Sequence, residues 1–338
     1  MINTVEQKNI LTDKMLRKHN YLRISLTEKC NLRCTYCMPA DGVQLTPKNS
    51  LMNVDEIFSI AKIFVDHGVN KIRLTGGEPL VRKDFSEILK RLNSLNADLS
   101  LTTNGILVDR FIDDFKAYNL RSINVSLDTL QADKFKFITR RDQFLKAYEN
   151  ISLLVQNGFN IKLNVVLIKN FNDDEIKSFI NLTKDLPIVV RFIEFMPFNG
   201  NNWDKSKLVT QKDILHDVVS YFGSDKLVKL EDNLNFISRD YQISGFMGSF
   251  GIISSVSNPF CDGCNRIRLT ANGKLKNCLF SNDETDILSS LRNNETIEPL
   301  IAKTVYKKFA IRANMDTFKK LNNPELHSKN RSMLTIGG

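Results

Sequence analysis

Short apolar runs alternate, over the first two thirds of the chain, with segments whose apolar positions recur every three to four residues. The runs Tyr21 to Leu26, Lys71 to Leu74, Leu99 to Leu101, Ile123 to Leu127, Ile161 to Ile168 and Ile188 to Phe195 are too short for helices and read as strands. A helix-period stretch follows each one. In the first, Ile57, Ile60, Ala61, Phe64 and Val65 form an apolar stripe, Asp55 is placed to cap it and Gly68 to end it. A second helix is expected after Asp84, with Phe85, Ile88, Leu89 and Leu92 turned inward. Serial βα units with right-handed crossovers predict a parallel sheet, an α/β fold of the partial, about six-unit, TIM-barrel type.

Six units fall two short of closure, so one side of the lumen needs another cover. After a helix expected around Lys212 to Tyr221 the βα rhythm stops. Short strands replace it, among them Arg266 to Thr270 and Lys274 to Leu279, joined through Ala271-Asn272-Gly273. This predicts a C-terminal α+β extension over the open side. The expected division is an N-terminal segment 1–20, a barrel 21–235 and a C-terminal domain 236–338.

Composition adds little to the fold but narrows the function. At 42% hydrophobic and 25% charged, the 338 residues are those of an ordinary folded chain, which excludes disordered and collagen-like classes. The net charge of +9 favours an anionic partner. The N-terminal stretch is charged throughout, unlike a signal peptide, so the expected location is cytoplasmic. The longest uncharged stretch, Tyr241 to Cys261, is about half Gly, Ser, Gln, Asn and Pro, and reads as strands and turns, not as a membrane span.

The polar and glycine residues of the first part gather where strands give way to loops: Gly76-Gly77-Glu78-Pro79, Thr102-Thr103-Asn104-Gly105, Ser126-Leu127-Asp128 and Met196-Pro197. In a βα barrel those ends meet on one face. All six cysteines fall into two groups of three, Cys30, Cys34 and Cys37 (C-x3-C-x2-C) and Cys261, Cys264 and Cys278 (C-x2-C-x13-C). Too few to staple a cytosolic chain, they point to metal binding or catalysis. Thiolates bind zinc or iron–sulfur clusters, and spacing alone leaves zinc open for the second group. The first group lacks the fourth ligand of a closed zinc site, whereas three thiolates on a four-iron cube leave one iron free.

The segment Cys30-Asn31-Leu32-Arg33-Cys34-Thr35-Tyr36-Cys37, with Gly76-Gly77-Glu78-Pro79 after the second strand, resembles the radical S-adenosylmethionine (SAM) superfamily. Within it, Cys261-Asp262-Gly263-Cys264-Asn265-Arg266-Ile267-Arg268-Leu269, then Cys278 and the closing Gly337-Gly338, resemble the GTP 3′,8-cyclase family, from about Tyr21 to the last residue. The superfamily resemblance implies a [4Fe–4S] cluster on Cys30, Cys34 and Cys37 whose open iron chelates SAM, and reductive cleavage to a 5′-deoxyadenosyl radical. The family resemblance implies a second [4Fe–4S] cluster on Cys261, Cys264 and Cys278 that binds the guanine of GTP. Abstraction of hydrogen from ribose C3′ and attack on guanine C8 then give (8S)-3′,8-cyclo-7,8-dihydroguanosine 5′-triphosphate, on the route to the molybdenum cofactor.

Carried over residue by residue, the resemblance implies that Arg23, Arg73, Thr102, Lys162, Arg266, Ile267 and Arg268 contact GTP. Tyr36, Gly77, Ser126 and Met196 contact SAM, the first and last largely through backbone groups, and the Gly337-Gly338 tail enters the active site. The implied partners are GTP, an electron donor and a cyclic pyranopterin monophosphate synthase that receives the product; a homodimer is left open, and neither membrane nor nucleic acid is expected. On the residues alone, Arg266 and Arg268 share one strand face while Ile267 points away to packing. His19, His67, His216 and His327 lack metal-like spacing and read as surface or packing residues. Two other readings share these motifs: a radical SAM enzyme acting on a peptide or RNA, and a zinc-stabilised nucleic-acid binding module.

Overall fold

Each of the six apolar runs forms a strand: β1 (Tyr21–Ser25), β2 (Lys71–Thr75), β3 (Asp98–Thr103), β4 (Ser122–Ser126), β5 (Asn160–Leu167) and β6 (Val189–Glu194). The computed structural model describes residues 9–38, 42–201, 203–232, 235 and 237–337. The six strands lie side by side in chain order, all parallel. Alternate residues sort by face. In β1, Leu22 and Ile24 are fully buried and join Ile72 and Leu74 of β2 in the main core, whereas Tyr21 and Arg23 line an internal chamber.

Helices cover the outer face with the expected stripes. Helix α1 (Val54–Asp66) buries Ile57, Ile60, Ala61 and Phe64, and α2 (Phe85–Leu92) buries Phe85, Ile88, Leu89 and Leu92. One detail differs: Asn53, not Asp55, caps α1. The Asn53 side chain accepts from the Glu56 N–H at 2.9 Å while the Glu56 carboxylate accepts from the Asn53 N–H at 2.8 Å, a reciprocal box that satisfies two end groups at once. Asp55 falls in the first turn and pairs with Arg91. Gly68, at φ +105°, turns the chain out of the helix as expected.

The remaining outer helices are α3 (Ile112–Ala117), α4 (Ala132–Thr139), α5 (Phe144–Gln156), α6 (Ile176–Asp185) and α7 (Gln211–Phe222). Beyond α7 the chain supplies β7 (Leu227–Lys229), β8 (Arg239–Ile243), β9 (Ser249–Ile253), β10 (Arg266–Leu269), β11 (Lys274–Lys276) and β12 (Thr285–Asp286). These strands flank both sides of the six-strand unit: β9 pairs parallel with β6, and β10 pairs parallel with β1. The result is one twelve-stranded sheet, ordered β12-β11-β10-β1-β2-β3-β4-β5-β6-β9-β8-β7. Both edges of the partial barrel are thereby paired.

Strand β11 stops at Lys276, short of the expected Leu279. The chain there bends to bring Asn277 onto the Thr304 carbonyl (2.8 Å) and Cys278 to the chamber wall. Helices α8 (Leu288–Arg292) and α9 (Glu298–Tyr306) follow, and the short helices α10 (Phe318–Leu321), α11 (Glu325–Ser328) and α12 (Met333–Ile336) lead the tail back to the barrel. Among the described residues no helix is long and apolar enough to cross a membrane.

Candidate active site

A chamber of about 470 Å³ occupies the barrel interior, and all six cysteines line it. The loop after β1 carries the first three. It is fixed by backbone bonds to the end of α4, Arg33 N–H to Thr139 O (3.0 Å) and Thr35 N–H to Ile138 O (2.9 Å), and by a turn closed from Cys37 N–H to Cys34 O (3.1 Å). Asn104, in the loop after β3, donates to the Asn31 side chain at 2.7 Å.

The Gly76-Gly77 turn passes directly beneath this loop. Gly77 N–H donates to Thr27 O (2.7 Å) and Glu78 N–H to Lys29 O (2.8 Å). A Cβ at Gly77 would overlap the Lys29 carbonyl, so close backbone approach is why glycine stands there. Glu78 is buried and accepts from Thr103 Oγ1 (2.8 Å) and Asn104 N–H (2.7 Å); burial pushes its carboxyl up to about 7. Tyr36 donates its hydroxyl to Asp128 at 2.5 Å, and burial raises the Asp128 carboxyl to about 6. Ser126 and Met196 also line the chamber; the Met196 carbonyl accepts from the Asn201 amide at 2.7 Å.

The strands contribute a row of cations. Sheet register puts Arg268 of β10 beside Arg23 of β1, and Arg23 beside Arg73 of β2. A second row, two residues back, runs Arg266, Tyr21, Lys71. Arg73 donates to the Tyr21 hydroxyl and, at 3.4 Å, to Thr102 Oγ1. Across the sheet, Thr102, Asn124 and Lys162 are successive register partners. All of these residues line the chamber, as does Arg191 of β6.

Gathering this charge in a buried space shifts several of these groups. Burial, then Arg268, draws the Arg23 guanidinium down; burial, then Arg266, brings Arg268 to about 10. Burial, then Arg191, Lys71 and Arg73, lowers Lys162 to about 8. Burial pushes the Tyr21 phenol up, but Arg73, Arg23 and Lys71 outweigh it and bring it to about 8. An assembly of this kind is arranged for a polyanion.

Sequence reasoning passed over Tyr21, Lys71 and Arg191. The signal existed for two of them: Tyr21 and Lys71 stand two residues before Arg23 and Arg73, and so share their strand face. Of the expected contacts, Ile267 is 1% exposed and belongs to the core, as its alternation implies. Gly337, at φ +85°, reaches the ends of β1 and β2, and its carbonyl accepts from Arg268 at 3.3 Å. Gly338 lies outside the described residues. His19 and His327 are buried, not ligands in a cluster.

The two cysteine groups differ in setting. Burial raises all three thiols of the first, Cys30 to about 11, with Asp128 adding to the rise at Cys34 and Cys37. In the second, burial raises Cys261 and opposes ionisation of Cys264, yet Arg266 and Lys308 outweigh it and bring Cys264 down to about 5. All six thiols are free and partly exposed to the chamber. Among the described residues no three His, Cys, Asp or Glu side chains converge on a single-ion position. Each group offers three thiols on one chamber wall, a donor set that suits a polynuclear cluster whose separate irons each take one sulfur.

Residues 24–183 match the Radical SAM superfamily and residues 188–316 match Molybdenum Cofactor Synthesis C. The chain is 46% identical to the mitochondrial GTP 3′,8-cyclase of Arabidopsis thaliana, covering 94% of this chain and 83% of that one. It is 39% identical to the GTP 3′,8-cyclase of Alkaliphilus oremlandii over 97% of this chain and 100% of that one. Identity to human molybdenum cofactor biosynthesis protein 1 is 42% over 96% of this chain, which spans about half (51%) of that longer protein. Among solved structures, Streptococcus suis SuiB bound to S-adenosylmethionine superposes with a TM-score of 0.57 at 15% identity, over 81% of this chain and 65% of that one.

Proposed function

The chain belongs to the GTP 3′,8-cyclase family of radical SAM proteins, and from that membership we infer that it converts GTP to (8S)-3′,8-cyclo-7,8-dihydroguanosine 5′-triphosphate in molybdenum cofactor biosynthesis. One observation supports this above the others: two groups of three free thiols face one chamber whose strands present Arg23, Arg73, Lys162, Arg266 and Arg268.

The fit of residues to cofactor is good. Cys30, Cys34 and Cys37 would hold one [4Fe–4S] cluster with SAM, and Cys261, Cys264 and Cys278 a second. When bound, the first supplies a hydrogen-abstracting radical from SAM, and the second an open iron for the guanine. The protein's own part is placement. Gly77 leaves backbone space at the first site, and the Tyr36 and Met196 backbones with Ser126 complete the SAM-facing wall. The guanidinium row on β10, β1 and β2 neutralises the triphosphate, with Thr102 beside Arg73 and Lys162 farther along the sheet. This fixes the nucleotide between the two cysteine groups and sets C3′ toward the first. Gly337 sits at the barrel end beside Arg268 and keeps solvent from the reacting carbon.

An electron donor reduces the enzyme, and a cyclic pyranopterin monophosphate synthase takes the product, with neither membrane nor nucleic acid required. Six free cysteines suit a reducing compartment, the cytoplasm. We retain the division at residue 235, with 236–338 carrying the second cysteine group. The test is iron and acid-labile sulfide analysis of anaerobically reconstituted protein, with variants in which either triad is replaced by Ala. Loss of about half the iron and sulfide from each variant supports the reading; one divalent ion at the second triad contradicts it.

A further inference from the structure

The two cysteine groups of the proposed function differ in the charge around them: the first has one guanidinium on its backbone, Arg33 to the Cys30 carbonyl at 3.3 Å, beside two carboxyls, whereas the second has cations on a thiol sulfur. Near the first stand the buried carboxyls Glu78 and Asp128, and the neutral amide of Asn104 lies 3.9 Å from Cys30 Sγ. The second is held by cations. Cys264 Sγ accepts from the Arg266 guanidinium at 3.4 Å and from Lys308 Nζ at 3.3 Å. Lys308 also donates to the Arg266 carbonyl at 2.8 Å, and Arg17, tied to Asp13 at 2.6 Å, donates to the Cys261 carbonyl at 2.7 Å.

Lys308 is the informative member of this set. It follows the end of α9, is 3% exposed and is absent from the chamber wall, so it reaches Cys264 from behind. Arg266 faces the substrate space, but Lys308 has no access to a nucleotide there. A buried lysine bonded to a thiol sulfur and one carbonyl is costly to keep unless the sulfur carries negative charge. A cation hydrogen-bonded to a cluster thiolate stabilises the reduced, more negative form, and burial strengthens that effect.

We propose that Lys308 is a positioning residue that raises the reduction potential of the cluster on Cys261, Cys264 and Cys278 above that of the cluster on Cys30, Cys34 and Cys37. The assignment rests on the two-cluster reading above. It makes the C-terminal centre the easier of the two to reduce, although both share one chamber.

The test is an EPR-monitored redox titration of the anaerobically reconstituted full chain, without SAM or GTP, the signals assigned with the two triad variants. In the wild type the C-terminal midpoint lies above the N-terminal one. Lys308→Met favours the oxidised C-terminal centre at least ten-fold, about 59 mV for a one-electron couple, and leaves the N-terminal midpoint in place. Lys308→Arg keeps the charge and restores the wild-type value. An inverted or equal order in the wild type overturns the proposal whether or not Lys308→Met loads its cluster, and so does an unmoved midpoint in a fully loaded Lys308→Met. Iron and sulfide at only one triad of the wild type would overturn the two-cluster reading itself.

Discussion

Replacing Lys162 by Met should move stability and substrate affinity in opposite directions. Burial and the neighbouring Arg191, Lys71 and Arg73 hold the Lys162 ammonium at about 8 against an ordinary 10.5. At about 1.4 kcal/mol per ten-fold, and discounting for its partial exposure, that gap is about 2–3 kcal/mol of strain on the unliganded fold. The sign follows from proton binding. Below pH 8 both folded and unfolded chains carry the charge and the strain is complete; between 8 and 10.5 only the unfolded chain holds the proton, so stability rises with pH. At pH 7 and without nucleotide, Lys162→Met should therefore raise the unfolding free energy by up to about 2–3 kcal/mol.

GTP should reverse the balance, because in the proposed site its triphosphate supplies the missing counter-charge. Loss of one charge-assisted contact of about 1.5–3 kcal/mol weakens binding roughly ten- to hundred-fold. The triphosphate also draws the Lys162 proton back, so wild-type binding near pH 8.5 should take up protons, and the variant should take up fewer. Denaturant titration measures the first effect; anaerobic calorimetry in two buffers of different ionisation enthalpy measures the others. A Lys162→Met protein that is less stable when unliganded, yet binds GTP as the wild type does, would refute the reasoning.

Further outcomes follow from other parts of the site. Gly77→Ala forces a Cβ onto the Lys29 carbonyl and the Leu334 side chain; the overpacking should cost about 1–3 kcal/mol in thermal unfolding and suppress SAM cleavage. Cys34→Ser should abolish formation of 5′-deoxyadenosine, whereas Arg266→Ala with Arg268→Ala should spare iron content at the first triad and impair GTP use, both read by mass spectrometry. Buried His19, bonded to Asp13 at 3.1 Å, is held down to about 3 by burial and then by Lys308. Its folded value lies below the unfolded 6.5, so stability is full above 6.5 and falls as the pH drops toward 3. Between pH 7.5 and 5 the loss is about 2 kcal/mol, and His19→Asn should flatten that slope.

The barrel strands were legible because each is a local event: a short apolar run, an alternating inward polar residue and a helix-period stretch after it. The observed β1 to β6 lie within one or two residues of the runs read from the sequence. The cysteine triads were legible from spacing alone, as was the shared face of Arg266 and Arg268. What escaped depends on long-range register. Nothing local in β9 or β10 says that one extends the sheet beside β6 and the other beside β1. That pairing sets Arg268 against Arg23 and completes the cationic row. Arg191 is flanked by apolar residues in β6, and nothing local places it on the chamber wall. Lys308 and Arg17 meet the second cysteine group from segments remote in the chain.

The most direct test of the reaction assigned to this chamber uses GTP deuterated at ribose C3′. Anaerobically reconstituted protein is incubated with that nucleotide, SAM and a low-potential reductant, and both products are read by mass spectrometry. The account predicts one deuterium in 5′-deoxyadenosine and a cyclised nucleotide that has lost it. A nucleotide that keeps its C3′ deuterium, beside unlabelled 5′-deoxyadenosine, would contradict it.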